Sequence, residues 1–233
     1  MSTCKQNGLY DGIIYVMNKA LNDYLSPLEE MLTDVSSFAS HEVMSDSEVE
    51  RGNRLLLYLH CCLAGHAYPY GTLPPDQLCT VPTHVYRCIT SLKGKDGLSS
   101  GVSYPYLRIL LLFDAQQVCI SCDRFDNYFY TKLILSSPML FERALMLPSF
   151  KIGRLAVELR NESALTHFLL LITQLVDAAG VVTPVEIVEN VVVTLMRMKL
   201  QNSSAEFAVV GTLRAVPQID RGAVLRMASS PMR

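Results

Sequence analysis

The stretch LYDGIIYVMNKALNDYLSPLEEM, residues 9–31, decides the fold class. Tyr10, Ile13, Ile14, Met17, Leu21, Tyr24, Leu25 and Leu28 recur at spacings of three and four, which draws an apolar stripe along a helix. Pro27 interrupts the stripe, because a proline inside a helix removes a donor and clashes with the preceding turn. Ser26 can cap a new helix with Pro27 at its first position, and Glu29 stands where a capping box wants an acid. The pattern therefore predicts two helices, about 8–25 and 27–34, joined by a sharp bend.

The same grammar extends along the chain. After a polar loop from Ser36 to Asp46, Ser45 and Glu48 repeat the capping-box pattern and open a helix through LLLYLHCCLA that stops at Gly65. HAYPYGTLPP, with three prolines and a glycine, is a connector. Helical patterns resume near Pro75, and Pro82 starts a helix reaching Leu92. KGKDGLSSG follows as a loop, and helix returns at Pro105 with Leu107, Leu110, Leu111 and Phe113. Residues 119–150 are the least legible, since CISCDRFDNYFYTKLILSSPMLF mixes β-forming residues with a Ser-Pro break and leaves a short hairpin open. Residues 163–178 read as a strongly apolar helix ended by Gly180. Thr183, Pro184 and Glu186 then open a valine-rich helix to about Leu200. A weak helix near Glu206–Arg214 and a fraying tail complete the reading.

Eight or more helices with short proline-marked connectors, no βαβ alternation and no strict short repeat give an all-α chain. An irregular α-solenoid of helical hairpins is the expected architecture, and a compact bundle is its competitor. The expected organisation is a helical segment 1–114, an irregular or divergent segment 115–160, and a further helical segment 161–233.

Composition narrows the function classes. Half of the 233 residues are apolar and 18% are charged, which supplies a core and argues against disorder. A net charge of −2 lacks the basic excess that phosphate neutralisation requires, so nucleic acid is not an expected partner. Charge is nonetheless uneven: residues 20–50 hold eight acids and no Lys or Arg, whereas 197–233 hold six cations against Glu206 and Asp220. Two solvated faces account for this, or an acidic end and a basic end that set the register of neighbouring partners. MSTCKQNG lacks the basic and apolar regions of a secretory signal, and seven scattered cysteines make no disulfide framework, so reduced thiols and a cytosolic chain are expected. Ser163–Val176, fourteen uncharged residues, is too short for a membrane span of about 20, and no transmembrane segment is expected.

Residues with possible chemistry are few and dispersed. Cys119 and Cys122 form a Cys-x-x-Cys pair, but zinc needs four ligands and no second pair stands at ligand spacing. Cys61 and Cys62 lie on an apolar helix, where a thiol behaves as a small hydrophobe. His60 and His167 fall within apolar helices, His66 lies in a turn, and His41 and His84 stand apart. Gly94-Lys95 is followed by Asp96, which would repel the phosphate that a Walker loop binds. No Ser occupies a Gly-x-Ser-x-Gly turn. The residues therefore support no catalytic, metal or cofactor site, and an enzyme reading would rest on Cys119, Cys122 and the histidines alone.

Three stretches carry a family resemblance: LYDGIIYVMNKALNDYLSPLEEM at 9–31, GNRLLLYLHCCLAGHAYPYGTLP at 52–74, and YPYLRILLLFD at 104–114. Within them, Leu9-Tyr10-Asp11-Gly12, Ser26-Pro27, Cys61-Cys62-Leu63-Ala64-Gly65 with Ala67-Tyr68-Pro69, and Tyr104-Pro105-Tyr106 are the most specific features. In order and spacing they resemble the central helical region of the vacuolar protein sorting protein eight family, a core subunit of the CORVET endosomal tethering complex. The likeness covers 9–114, and 165–200 only loosely. It departs after Asp114, where AQQVCISCDRFDNY replaces the aliphatic helix usual in the family.

The resemblance implies a non-enzymatic scaffold segment without cofactors, acting in endosome fusion and transport to the lysosome or vacuole. Its implied partners are other tethering-complex subunits, with indirect association to the endosomal membrane and a Rab GTPase. Its implied location is cytoplasmic and peripheral on early endosomes. The family otherwise has a β-propeller and a RING-type domain, neither of which patterns this sequence, so a fragment, a short isoform or an incomplete gene model is expected. A freestanding helical adaptor or small-molecule-binding bundle is the alternative.

Overall fold

A computed structural model of the chain describes residues 9–41, 43–92, 94, 103–134, 148–179, 185–198 and 203–230. Ten helices occupy these residues: α1 (Tyr10–Leu21), α2 (Leu25–Ser36), α3 (Asp46–Leu63), α4 (Thr80–Ile89), α5 (Pro105–Ile134), α6 (Pro148–Leu159), α7 (Glu162–Ala179), α8 (Val185–Arg197), α9 (Ser203–Ala215) and α10 (Arg221–Ser229). The described residues hold no strand, only an isolated antiparallel bridge between His66 and Thr72. The chain divides into two compact units, Met1–Phe125 and Asp126–Arg233.

In the first unit α2 packs on α3 and α4, and α3 packs on α4. The bend expected at Pro27 forms slightly earlier. Asn22 ends α1 in the left-handed region at φ 52°, a conformation that asparagine tolerates. The Asp23 carboxylate, not Ser26, then caps α2, accepting from the backbone N–H groups of Leu25 (3.1 Å) and Ser26 (2.9 Å). Pro27 falls in the first turn, where its missing N–H leaves no bond unmade. The expected capping box of α3 is present: Glu48 N–H donates to Ser45 Oγ at 3.4 Å, and Ser45 N–H donates to Glu48 Oε2 at 2.7 Å. These Ser45 bonds hold the Glu48 carboxyl below its ordinary value. Gly65, at φ +75°, lets the chain leave α3 as expected. The connector folds back through the bridge and a cis Tyr68–Pro69 bond, burying Ala67, Tyr68 and Leu73.

α4 is shorter than expected, starting at Thr80 with Pro82 in its first turn and ending at Ile89. Most of the loop read at 93–101 lies outside the described residues. The segment 115–160, expected to be irregular or divergent, is helical wherever it is described, apart from a turn at Arg160. Asp114 breaks α5 at φ −152°, ψ 90°, and its carboxylate accepts from Gln117 N–H at 3.0 Å, so the break also starts the next helical stretch. Buried Ala115, Val118 and Cys122 form an i, i+3, i+7 stripe that the surrounding β-forming residues obscured in sequence.

The second unit is a neighbour-on-neighbour helical stack: α6 packs on α7 and α8, α7 on α8 and α9, and α8 on α9 and α10. α8 tolerates its valines because Val188, Val191, Val192 and Leu195 share one buried face, where packing outweighs the lost side-chain freedom. The capping residues read at Thr183 and Pro184, and Gly180, lie outside the described residues. The tail expected to fray forms α10 instead. Asp220 caps it through Ala223 N–H at 3.0 Å, and the Arg197 guanidinium donates to the Met227 carbonyl at 2.6 Å. No described helix is long and apolar enough to cross a membrane.

One close approach fixes α3 against α5. A Cβ on Gly52 would lie 1.9 Å from Phe113 Cζ, and that ring is held edge-on by Phe38 with centroids 6.2 Å apart. Overpacking costs about 1–3 kcal/mol, against a helix-propensity gain of about 1 kcal/mol for Gly→Ala. Gly52→Ala is therefore expected to lower the thermal midpoint seen by circular dichroism. Adding Phe113→Leu should recover most of the loss, and a stabilised single variant would contradict the close packing.

Candidate interaction surface

The surface at the start of the chain is built around a tyrosine. Tyr58, fully buried on α3, places its hydroxyl 2.9 Å from the Tyr24 carbonyl and 3.1 Å from the Asn18 side-chain amide. It also shares a hydrogen bond with the Cys62 thiol. A phenol has one proton to give. The hydroxyl reaches two acceptors, the Tyr24 carbonyl and Asn18 Oδ1, so its proton serves one of them at a time, and Asn18 Nδ2 has no hydrogen-bond partner among the described residues. Burial pushes the Tyr58 phenol far above its ordinary range and the Cys62 thiol up to about 12. Both groups stay neutral and serve as packing.

Around this knot lies a second layer. Tyr68 meets Tyr58 edge-on at 5.2 Å and donates its hydroxyl to Asp11 at 2.7 Å. Burial, then that bond, raises the Tyr68 pKa. Arg54 lies 3.5 Å from the same Asp11 carboxylate and 3.0 Å from Glu50, and its guanidinium covers the Tyr10 ring. Arg51 pairs with Asp34 at 2.6 Å and stacks over Phe38. Tyr106, buried on α5, reaches Glu29 of α2 at 3.4 Å, and Tyr104 takes φ 55° just before Pro105. Asp11, Tyr68 and Tyr106, drawn from three of the four sequence motifs, thus join elements of the first unit. Aspartate and tyrosine positions distant in sequence meet in space.

These joints frame an open groove of about 210 Å³. Ile13, Ile14 and Met17 of α1 and Pro27 and Met31 of α2 supply its apolar lining. Glu30 and Asp34 stand on the α2 side, and Arg51 and Arg54 on the α3 side. An apolar floor bordered by the Asp34–Arg51 ion pair, with Glu30 and Arg54 beside it, suits a protein side chain better than a reacting substrate. The sequence reading missed this groove, because nothing local marks Arg51 and Arg54 as binding residues and only the fold carries them over α1 and α2.

The residues weighed for chemistry do not converge. Cys122 is buried and Cys119 half-buried, one turn apart on α5. His60 Nδ1 lies 3.4 Å from Ser121 Oγ, and His41 Nδ1 lies 3.3 Å from Glu48. His66 and His84 are exposed and His167 half-buried. Among the described residues, no three His, Cys, Asp or Glu side chains are placed to hold a metal ion. Cys61 and Cys62 are buried as the apolar helix suggested.

Residues 1–122 match the family model described as Vps8 central TPR. The chain belongs to this family. It is 36% identical over 115 residues to the vacuolar protein sorting-associated protein 8 homologs of Mus musculus and Homo sapiens. Against the Drosophila melanogaster homolog it is 36% identical over 117 residues. The aligned stretch is 49–50% of this chain and 8–9% of those relatives. No solved structure matches the chain. The family match includes all four motifs and ends at residue 122, so it does not carry the looser likeness at 165–200. Helices alone among the described residues, packed neighbour on neighbour, agree with the family's helical solenoid.

Two measurements check this layer. Tyr58→Phe leaves a buried carbonyl and amide short of a partner, an expected loss of about 1–3 kcal/mol in denaturant unfolding; no change would show that the hydroxyl is dispensable. At pH 8, with the Cys62 thiol pushed up to about 12, only about one molecule in ten thousand carries the thiolate. Peptide mapping after alkylation should find Cys62 unmodified in the folded chain and modified in denaturant, while exposed Cys79 reacts in both.

Proposed function

We propose that this chain is a non-enzymatic scaffold segment of a vacuolar protein sorting subunit, acting within an endosomal tethering complex in vesicle fusion and transport to the lysosome or vacuole. Its partners are other subunits of that complex. Its association with the early endosomal membrane and with a Rab GTPase is indirect, through those subunits, and its location is cytoplasmic. The observation that carries this reading is the family match over residues 1–122, together with motif residues that act as helix joints. Side chains spent on joining helices leave the outer faces to serve as the binding surface.

The alternative of a small-molecule-binding bundle has less support. Pockets for such ligands occupy about 300–1,000 Å³ and enclose most of the ligand, whereas the groove on α1–α3 is about 210 Å³, and a larger hollow of about 500 Å³ beside Leu25, His84, Arg87 and Tyr106 is shallow and open to solvent.

Affinity purification of the tagged chain from its own cells, with mass spectrometry of bound proteins, tests the proposal. Tethering subunits are expected in the eluate. An abundant, folded chain that retrieves none of them would mean that this segment carries no docking surface of its own.

A further inference from the structure

We propose that a second copy of this chain docks on the first, with Phe207 of one copy seated in the α1–α2 groove of the other. Phe207 stands on α9 with 72% of its surface exposed, and Val210, one turn on, is 47% exposed. Arg214 follows on the same face, about 10 Å along the axis from Phe207, and Glu206 lies beside Phe207. An apolar knob with a cation further along the same face suits a groove whose apolar lining is bordered by Glu30 of α2, while Asp34 and Arg51 at its edge are paired with each other. Size agrees as well. A cavity of about 150 Å³ accepts benzene, and the groove offers about 210 Å³.

The longer-range charges favour another copy of this chain as the occupant. The α2 wall of the groove, with Pro27, Glu30, Met31 and Asp34, belongs to residues 20–50, which hold eight acids and no Lys or Arg, and Arg51 and Arg54 of α3 close the far side. α9 and α10 belong to the region 197–233, with six cations against two acids. Opposite runs of charge carried by one chain attract the tail of one copy to the head of the next and orient the approach. Knob and groove are different surfaces, so the contact is heterologous, and an open assembly keeps one unused knob at one end and one unused groove at the other.

Sedimentation of the whole chain over a range of concentrations tests the arrangement. Wild type should associate progressively. Raising the salt from about 0.1 M to about 1 M, which shortens screening from about 10 Å to about 3 Å, should weaken association at least about tenfold. Phe207→Asp removes the knob and Met17→Lys blocks the groove, and each variant alone should be monomeric with an unchanged helical dichroism signal. Mixed together they should form a one-to-one dimer that grows no further, because each retains the surface that the other lacks. A monomeric wild type would overturn the proposal. So would association persisting in Phe207→Asp alone, or a mixture of the two folded variants that stays monomeric.

Discussion

The buried hydroxyl of Tyr58 is the constraint on which the first unit depends. An apolar core would exclude Asn18, the Tyr24 carbonyl and a phenol unless they satisfied one another, because each would forfeit its hydrogen bonds to water. Their mutual contact sets the distance and rotation of α1 and α3, and holds the turn into α2 through the Tyr24 backbone. Non-directional burial of Ile13, Leu28 or Leu55 could be met by several rotations of the same helices. A phenol with defined donors and acceptors is met by few. Tyr68 extends the constraint outward, linking the knot to Asp11 and Arg54 at the surface.

The second device is clearance. Gly52 admits the Phe113 ring to the surface of α3, and Gly153 on α6 admits Phe168 of α7, where a Cβ would stand 2.8 Å from the ring. Each pair lets two helices approach more closely than side chains on both would permit. Carboxylates from Asp23, Asp114 and Asp220 supply the matching end condition, each satisfying backbone N–H groups at the start of a helical stretch. Short helices with such ends can change direction sharply without stranding polar groups. A stack of helices in which each packs on its sequence neighbours needs this property.

A scaffold reading follows from how the polar side chains are used. Tyr68, Asp11, Asp34, Arg51 and Arg54 of the first unit are engaged with each other at helix junctions, and the buried Cys62 thiol is held neutral. Such an arrangement presents shape and charge while committing its reactive groups to packing. The groove on α1–α3 and the exposed knob on α9 are the kinds of feature through which rigid helical surfaces recognise one another.

The sequence by itself determined the helical class, the stripe of α1 and α2, the capping box at Ser45 and Glu48, the exit at Gly65 and the likeness to the family, because each depends on residues within a few positions. It misplaced the start of α2, since Asp23 and Ser26 are both competent caps and only the packing of Tyr24 chooses between them. It read 115–160 as irregular or divergent and did not show the helix at its start, because the stripe of Ala115, Val118 and Cys122 is masked by β-forming neighbours and shows only once one face is buried. The meeting of Asp11 with Tyr68, of Asn18 with Tyr58, and of Arg51 and Arg54 with the α1–α2 groove was decided by the tertiary structure alone. Those partners stand 57, 40 and 17 or more residues apart, and no local pattern specifies which buried polar groups will satisfy each other once water is gone.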